Sequence, residues 1–225
     1  MTEGSSARRY SSPLREENAR RTRQAITAAA HELFTERGYG ATSIADIAAA
    51  AGVARPTPTA VFGSKPALLK EVLDQALAGD DEPVPVAQRP WFRPVLEATS
   101  PAGVLDAYRG VIILISRRAA RIYEVVRRAA DEGDEVAELW ETLQRNRRVG
   151  ARMVIDRVAA LGPLADGLDI ERAADILSGF NDPALPEYLV TRCGWPEAFF
   201  AAWLSDQLRH ALLPSSTPSV SNRGR

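Results

Sequence analysis

Covalent chemistry has few candidates in this sequence. The single cysteine, Cys193, has no histidine or basic cluster beside it to draw off the thiol proton, and His31 and His210 are too isolated to form a catalytic or metal-binding group. The acidic run DEGDEVAE, Asp131 to Glu138, straddles Gly133 with no histidine nearby, which reads as a solvated helix start. RNRR, Arg145 to Arg148, is consecutive, so on a helix it goes around the cylinder instead of lining one face, and solvent is its expected surroundings. No nucleophile elbow, phosphate loop or dinucleotide motif occurs. The expectation is a protein that is not an enzyme, with no cofactor and no metal site.

Anion recognition is better supplied. The stretch GVARPTPTAVFGSK, Gly52 to Lys65, has the spacing of a short turn leading into a helix, and Arg55 is its only cation ahead of Lys65. A guanidinium there suits guanine O6 and N7, or a phosphate. Just upstream, Ser43 followed by Asp46 has the S-x-x-D form of a capping box, so a helix is expected to start there.

The elements that position these groups follow from periodicity. Ile26, Ala29, Ala30, Leu33 and Phe34 repeat at three and four, so Leu14 to Arg37 reads as a helix that Gly38 stops. A short helix from Ser43 to Ala51 buries Ile44, Ile47 and Ala48 and ends at Gly52; Ser64 caps a fourth helix, in which Pro66 is tolerated in the first turn. Two short helices around AGVA, flanked by longer ones, describe a helix-turn-helix. GDDEPVPVAQRP, residues 79 to 90, reads as a linker or inter-element loop. Beyond it, helices are expected near Trp91 to Glu97, from Ala102 to about Arg118, Ala120 to Glu132, Glu135 to Leu161 and Ile170 to Phe180, in a short piece after Pro183, and from Pro196 to Leu213. No segment alternates as a half-buried strand does, so the fold class is all-α.

The bulk numbers agree with an ordinary soluble globular protein. Net charge is −1, but residues 1 to 65 hold nine Arg or Lys against six Asp or Glu, so the N-terminal end is the polyanion-facing one. One cysteine and no run of about 18 apolar residues fit a cytoplasmic protein without a membrane partner. The expected organisation is a disordered arm over 1–14, a DNA-binding domain over 15–65, a helical domain over 66–213 and a disordered tail over 214–225.

The run ARRTRQAITAAAHELFTERGYGATSIADIAAAAGVARPTPTAVFGSKPALL resembles the DNA-binding region of the tetracycline-repressor (TetR) family of transcriptional regulators, through I..AA..LF...GY..TS...IA..AGV and the ending F.SK..LL. The likeness covers about residues 20 to 73. RPWFRPVLE, LDIERAADIL and WPEAFFAAWL are similar, less specifically, to C-terminal domains of actinobacterial members. The resemblance implies a homodimer that sets one recognition helix per subunit into successive major grooves of a roughly palindromic double-stranded DNA operator. A small-molecule effector in the helical ligand-binding and dimerisation domain then releases the DNA. By matching positions, Thr42, Ser43 and Lys65 are phosphate contacts, and Thr57 and Thr59 lie in the recognition helix beside Arg55.

The chain also departs from that pattern. Ala54 stands where a capping Ser is common, and Thr57, Pro58 and Thr59 stand where Thr, an aliphatic residue and Tyr are usual. Pro58 disfavours the α conformation at Thr57, and an extended Thr before Pro is a preferred start, so the helix is expected to begin at Thr57 or Pro58 and to span little more than a turn and a half. The missing tyrosine hydroxyl and first turn weaken DNA binding by about 1–3 kcal/mol. The alternative function is a ligand-binding or interaction module on the same fold, its DNA reading impaired by Pro58 and Thr59. Pro186 is a second such departure, placed to distort the helix begun at Pro183.

For the effector, the candidates by position are Phe92, Tyr108, Ile112, Tyr123, Trp140 and Gln144, although aromatic residues at helical spacing also fill cores. Phe199, Phe200, Trp203 and Leu204 form an apolar face that the resemblance assigns to the dimer interface, with intramolecular packing equally compatible.

Overall fold

In the computed structural model, which describes residues 13–215, helices account for all the regular structure among the described residues. The chain divides into two compact units, one ending at Val72 and one beginning at Leu73. The division falls inside a helix, seven residues beyond the 65/66 boundary read from the motifs, because Leu68, Leu69 and Val72 are buried with the N-terminal unit.

In that N-terminal unit, α1 spans Pro13–Arg37, so Pro13 and Leu14 belong to a helix and not to an arm; the rest of the expected arm, residues 1–12, lies outside the described residues. Ile26, Ala30 and Phe34 are fully buried, as the period requires. α2 covers Ile44–Ala50 and α3 covers Thr57–Phe62. α4, Lys65–Ala78, starts with the Ser64 hydroxyl accepting the Ala67 amide at 3.2 Å.

After the end of α4, the C-terminal unit continues through the Pro-rich stretch over 79–90, which Arg89 organises. Arg89 is 3% exposed; its guanidinium forks onto both Asp80 carboxylate oxygens at 2.6 and 2.7 Å and donates to the Val84 and Glu82 carbonyls at 3.0 and 2.8 Å. Two short 3₁₀ turns, Val86–Gln88 and Pro90–Phe92, lead into α5, Arg93–Glu97.

α6 runs unbroken over Pro101–Ala129, capped by Ser100. This corrects the expected break near Arg118: SRRAAR contains no helix breaker, and Ala119 is fully buried within the helix. α7 spans Asp134–Leu161, and α8 spans Ile170–Phe180 with Asp169 as its cap. α9, Ala184–Pro186, passes into a π-helical segment, Glu187–Arg192, and α10 covers Glu197–Leu212. Val104, Leu105 and Ile112 of α6, Val154 and Ile155 of α7, Ala174 and Leu177 of α8, and Phe200, Leu204 and Leu208 of α10 share one core. Pro214 and Ser215 are described without regular structure, and the rest of the expected tail, 216–225, lies outside the described residues.

Candidate DNA interface and effector domain

The capping box at α2 forms as its residue types demand. The Ser43 hydroxyl accepts the Asp46 amide at 3.1 Å, and an Asp46 carboxylate oxygen accepts the Ser43 amide at 3.0 Å and its hydroxyl at 2.6 Å. The Ser43 hydroxyl, and after it the Ser43 amide, hold Asp46 below the usual carboxylate range. Ser43 is therefore exposed but already engaged, and the helix start carries its own anion.

Thr42 does not reach solvent. It is 1% exposed, and its hydroxyl donates inward to the carbonyls of Gly38 at 2.8 Å and Leu33 at 3.2 Å. This removes Thr42 from the side chains that touch phosphate: a small β-branched hydroxyl beside two carbonyls at a helix end closes the turn between α1 and α2.

The turn before α3 has its own logic. Gly52 adopts φ +66 and Gly63 φ +84, left-handed values that suit glycine, and they bracket the recognition segment. Thr57 is the first residue of α3, at one of the two expected starts, but the start is built differently: the position before it is Pro56 in an α conformation, no side chain caps it, and the Thr57 amide donates to the Ala54 carbonyl at 2.8 Å. A tight turn over residues 54–57 thus does what an extended Thr57 cap was expected to do. Pro56 and Pro58 occupy positions whose amides have no acceptor within the helix, so neither removes a bond. The ladder then begins with the Ala60 amide on the Pro56 carbonyl at 3.0 Å and closes with Gly63 on Thr59 at 2.8 Å.

Pro58 is buried and takes the place of an aliphatic core residue, while Arg55, Pro56, Thr59 and Ala60 are exposed at helical spacing. Thr57 is half-buried. The Lys65 ammonium lies 3.9 Å from the centre of the Tyr39 ring, and Arg23 lies over Phe62 at 4.6 Å, so both cations are tied to aromatic faces of this unit.

In the C-terminal unit, the expected effector residues divide in two. Phe92, Tyr108 and Ile112 are core, 3%, 6% and 4% exposed. Tyr123 and Gln144 instead engage Arg147, and Trp140 packs on Tyr123, although the RNRR spacing predicts a solvated Arg147. The Arg147 side chain is 15% exposed and forms an ion pair with Asp182 at 3.1 Å. It donates to the Tyr123 hydroxyl at 2.9 Å, Asn181 Oδ1 at 3.0 Å, the Ser178 carbonyl at 2.6 Å and the Gln144 amide oxygen. Asn181 in turn donates to the Tyr108 hydroxyl at 2.7 Å, and Trp140 stacks edge-on to Tyr123 at 5.1 Å. Burial pushes the Tyr123 phenol up to about 12 against the opposing pull of Arg147. Its neighbour Arg148 pairs across to Asp175 and Glu171 of α8, at 2.7 and 2.8 Å. Most of the signal for Arg147 is not local, because Ser178, Asn181 and Asp182 stand more than thirty positions away.

The expected dimer face is also divided. Phe200 and Leu204 are fully buried in the core, which corrects their assignment to an interface; they lie four apart, on the inward side of α10. Phe199 is 57% exposed, Trp203 is half-buried, and both stack on Trp195, at ring distances of 5.1 and 5.7 Å; Tyr188 is 58% exposed.

A capped short helix, a glycine turn and a second helix with its own exposed face define a helix-turn-helix protein, carried here beside a separate helical unit. Residues 26–72 match the family model described as bacterial regulatory proteins, tetR family. The chain is 29% identical over 189 residues to the probable HTH-type transcriptional regulator ArpR of Pseudomonas putida, covering 77% of this chain and 83% of the relative. Its fold is shared with a putative transcriptional regulator from Saccharomonospora viridis in complex with choline (TM-score 0.65, 20% identity, 88% and 98% covered). A SmeT–triclosan complex shares it too (TM-score 0.67, 20% identity, 87% and 93% covered). Residues 26–72 thus carry the DNA-binding region of the tetR family, in a chain that is similar over most of its length to HTH-type transcriptional regulators.

Proposed function

We propose that this protein is a repressor that binds a palindromic operator as a homodimer in the cytoplasm and is released by a small-molecule effector. The observation that carries the reading is the state of α3: Pro58 is buried, the helix ladder is closed, and Thr59 on the helix and Arg55 in the turn before it are exposed. In this reading Arg55 contacts a base edge or phosphate, Thr59 lies against the backbone, Thr57 supports the turn, and Ser43 and Lys65 hold phosphates. A DNA-binding domain over 15–65 and an effector and dimerisation domain over 66–213 divide the work. Dimerisation uses the exposed aromatic ledge of Tyr188, Trp195, Phe199 and Trp203, and the two recognition helices would then meet half-sites about 34 Å apart. A small-molecule effector is supported by the triclosan and choline complexes of proteins that share the fold.

Binding of the purified protein to DNA from its own upstream region, followed by fluorescence anisotropy across a salt series, tests this. A saturable, sequence-specific complex of two chains per site is expected. If wild type fails to bind while a Pro58→Leu, Thr59→Tyr variant binds tightly, the repressor reading is lost and the impaired-module alternative stands.

A further inference from the structure

The helix α3 is short for reading a groove. It has six residues, no side-chain cap at its start, and the left-handed Gly63 directly after its last residue, Phe62. At about 1.5 Å per residue it is only about 9 Å long, so a tilt of roughly 10° at Phe62 displaces its first turn by about 1.5 Å. A shift of that size breaks a hydrogen bond to a base edge, whose length has a range of about half an ångström. The turn over 54–57 and the burial of Pro58 hold the start of α3, and its far end needs a holder of its own.

Arg23 is placed to be that holder. It lies three residues before the fully buried Ile26, on the same side of α1. Its guanidinium carbon sits over the Phe62 ring, 4.6 Å from the centroid, and its Nη2 pairs with Glu71 of α4 at 3.4 Å. One side chain thus joins α1, the last residue of α3 and α4, all within the N-terminal unit. A planar guanidinium can cover a ring with its face while its edge meets a carboxylate; an ammonium has no such plane. The Arg23 and Glu71 side chains are 43% and 31% exposed, so water screens the ion pair, and its part is to orient the guanidinium. Glu71 also balances the charge of Arg23, which makes Arg23 a poor partner for a phosphate.

We propose that Arg23 is a positioning residue for DNA reading: oriented by Glu71, it clamps Phe62, fixes the C-terminal end of α3 and so sets where Arg55 and Thr59 meet the groove, without touching DNA itself. The proposal rests on the reading of α3 as the helix that contacts DNA.

The test uses the full chain with an upstream-region duplex and a scrambled duplex of the same length and composition. Anisotropy is read over a salt series, below the melting temperature of every variant. Arg23→Gln keeps the stem and removes the cation, and Phe62→Leu keeps apolar packing and removes the ring. Each should lower the ratio of upstream to scrambled affinity by about tenfold and leave the salt slope unchanged. The double variant should be no weaker than either single one, because both remove the same contact. Glu71→Gln leaves Arg23 and Phe62 in place and should lower the ratio by about threefold, so the test stands even where a change at Arg23 prevents folding. Equal losses on both duplexes, with a salt slope smaller by about one, would make Arg23 a phosphate contact and overturn the proposal. An unchanged ratio in Arg23→Gln or Glu71→Gln, or additive losses in the double variant, would overturn it too. Wild type that treats the two duplexes alike removes the repressor reading and the clamp together. A discriminating wild type with an indifferent Arg23→Gln removes the clamp alone.

Discussion

Two proline-broken helix starts in this molecule meet the same problem and solve it differently. Pro56 and Pro58 open α3, and Pro183 and Pro186 open the segment that becomes the π turn. In both, the rings fall where helix amides have no internal acceptor, so no backbone bond is lost. The α3 start has no side-chain cap and is held by the turn over 54–57 and by the burial of Pro58. The 183–186 start is anchored by side chains: Asp182 accepts the Ala184 amide at 2.9 Å and pairs with Arg147, which also grips the Ser178 carbonyl and Asn181. One start is fixed by a backbone turn and packing and leaves a short helix with an exposed face. The other is fixed by a polar network, and its irregularity appears one turn later, as π-helix.

The contrast can be broken from the network side first. Arg147→Ala should destabilise the C-terminal unit by about 2–4 kcal/mol, because it strands Asp182 and the Ser178 carbonyl, and denaturant unfolding would measure it. On the packing side, Pro58→Gly removes a buried ring and frees the chain, and should lower the stability of the N-terminal unit by about 1–2 kcal/mol, read by the same method. If that change is silent, burial of Pro58 does not hold α3.

A pH experiment probes the network without removing its arginine. The Tyr123 phenol is raised from 10 to about 12, so the neutral form is favoured in the folded state. Its contribution is complete below pH 10 and is lost as pH rises from 10 through 12. Phenolate absorbance should show a step near pH 12 that Tyr123→Phe removes. A step near 10 in the folded protein would mean that the phenol is not buried against Trp140. The smallest effect belongs to Pro58→Leu, Thr59→Tyr: under about 1 kcal/mol in stability, since one apolar residue replaces another, with DNA affinity raised severalfold by the longer hydroxyl.

Much of this was legible in residue types and spacing. The Ser43–Asp46 box and the limits of α8 follow from caps and period, which are local rules. What escaped depends on partners distant in the chain. Arg147 and Arg89 look like ordinary charged residues until the fold supplies carbonyls and carboxylates around them. Thr42 matched a phosphate contact by position, yet the end of α1 turns its hydroxyl inward. In FFAAWL the pattern shows an apolar face without saying which part is covered; Phe200 and Leu204 went to the core and Phe199 to the surface. The break expected near Arg118 does not form, because nothing in SRRAAR ends a helix.

The central claim is that the proline-started α3 still reads DNA, through Arg55. Specific binding of wild type and Arg55→Ala to the upstream region at one stated salt concentration tests it most directly. A specific wild-type complex is expected, which Arg55→Ala weakens by roughly 10- to 100-fold while the fold is kept, in line with about 1–3 kcal/mol for a base-reading arginine. Equal affinity for operator and unrelated DNA, or an Arg55→Ala variant that binds as wild type does, would contradict it.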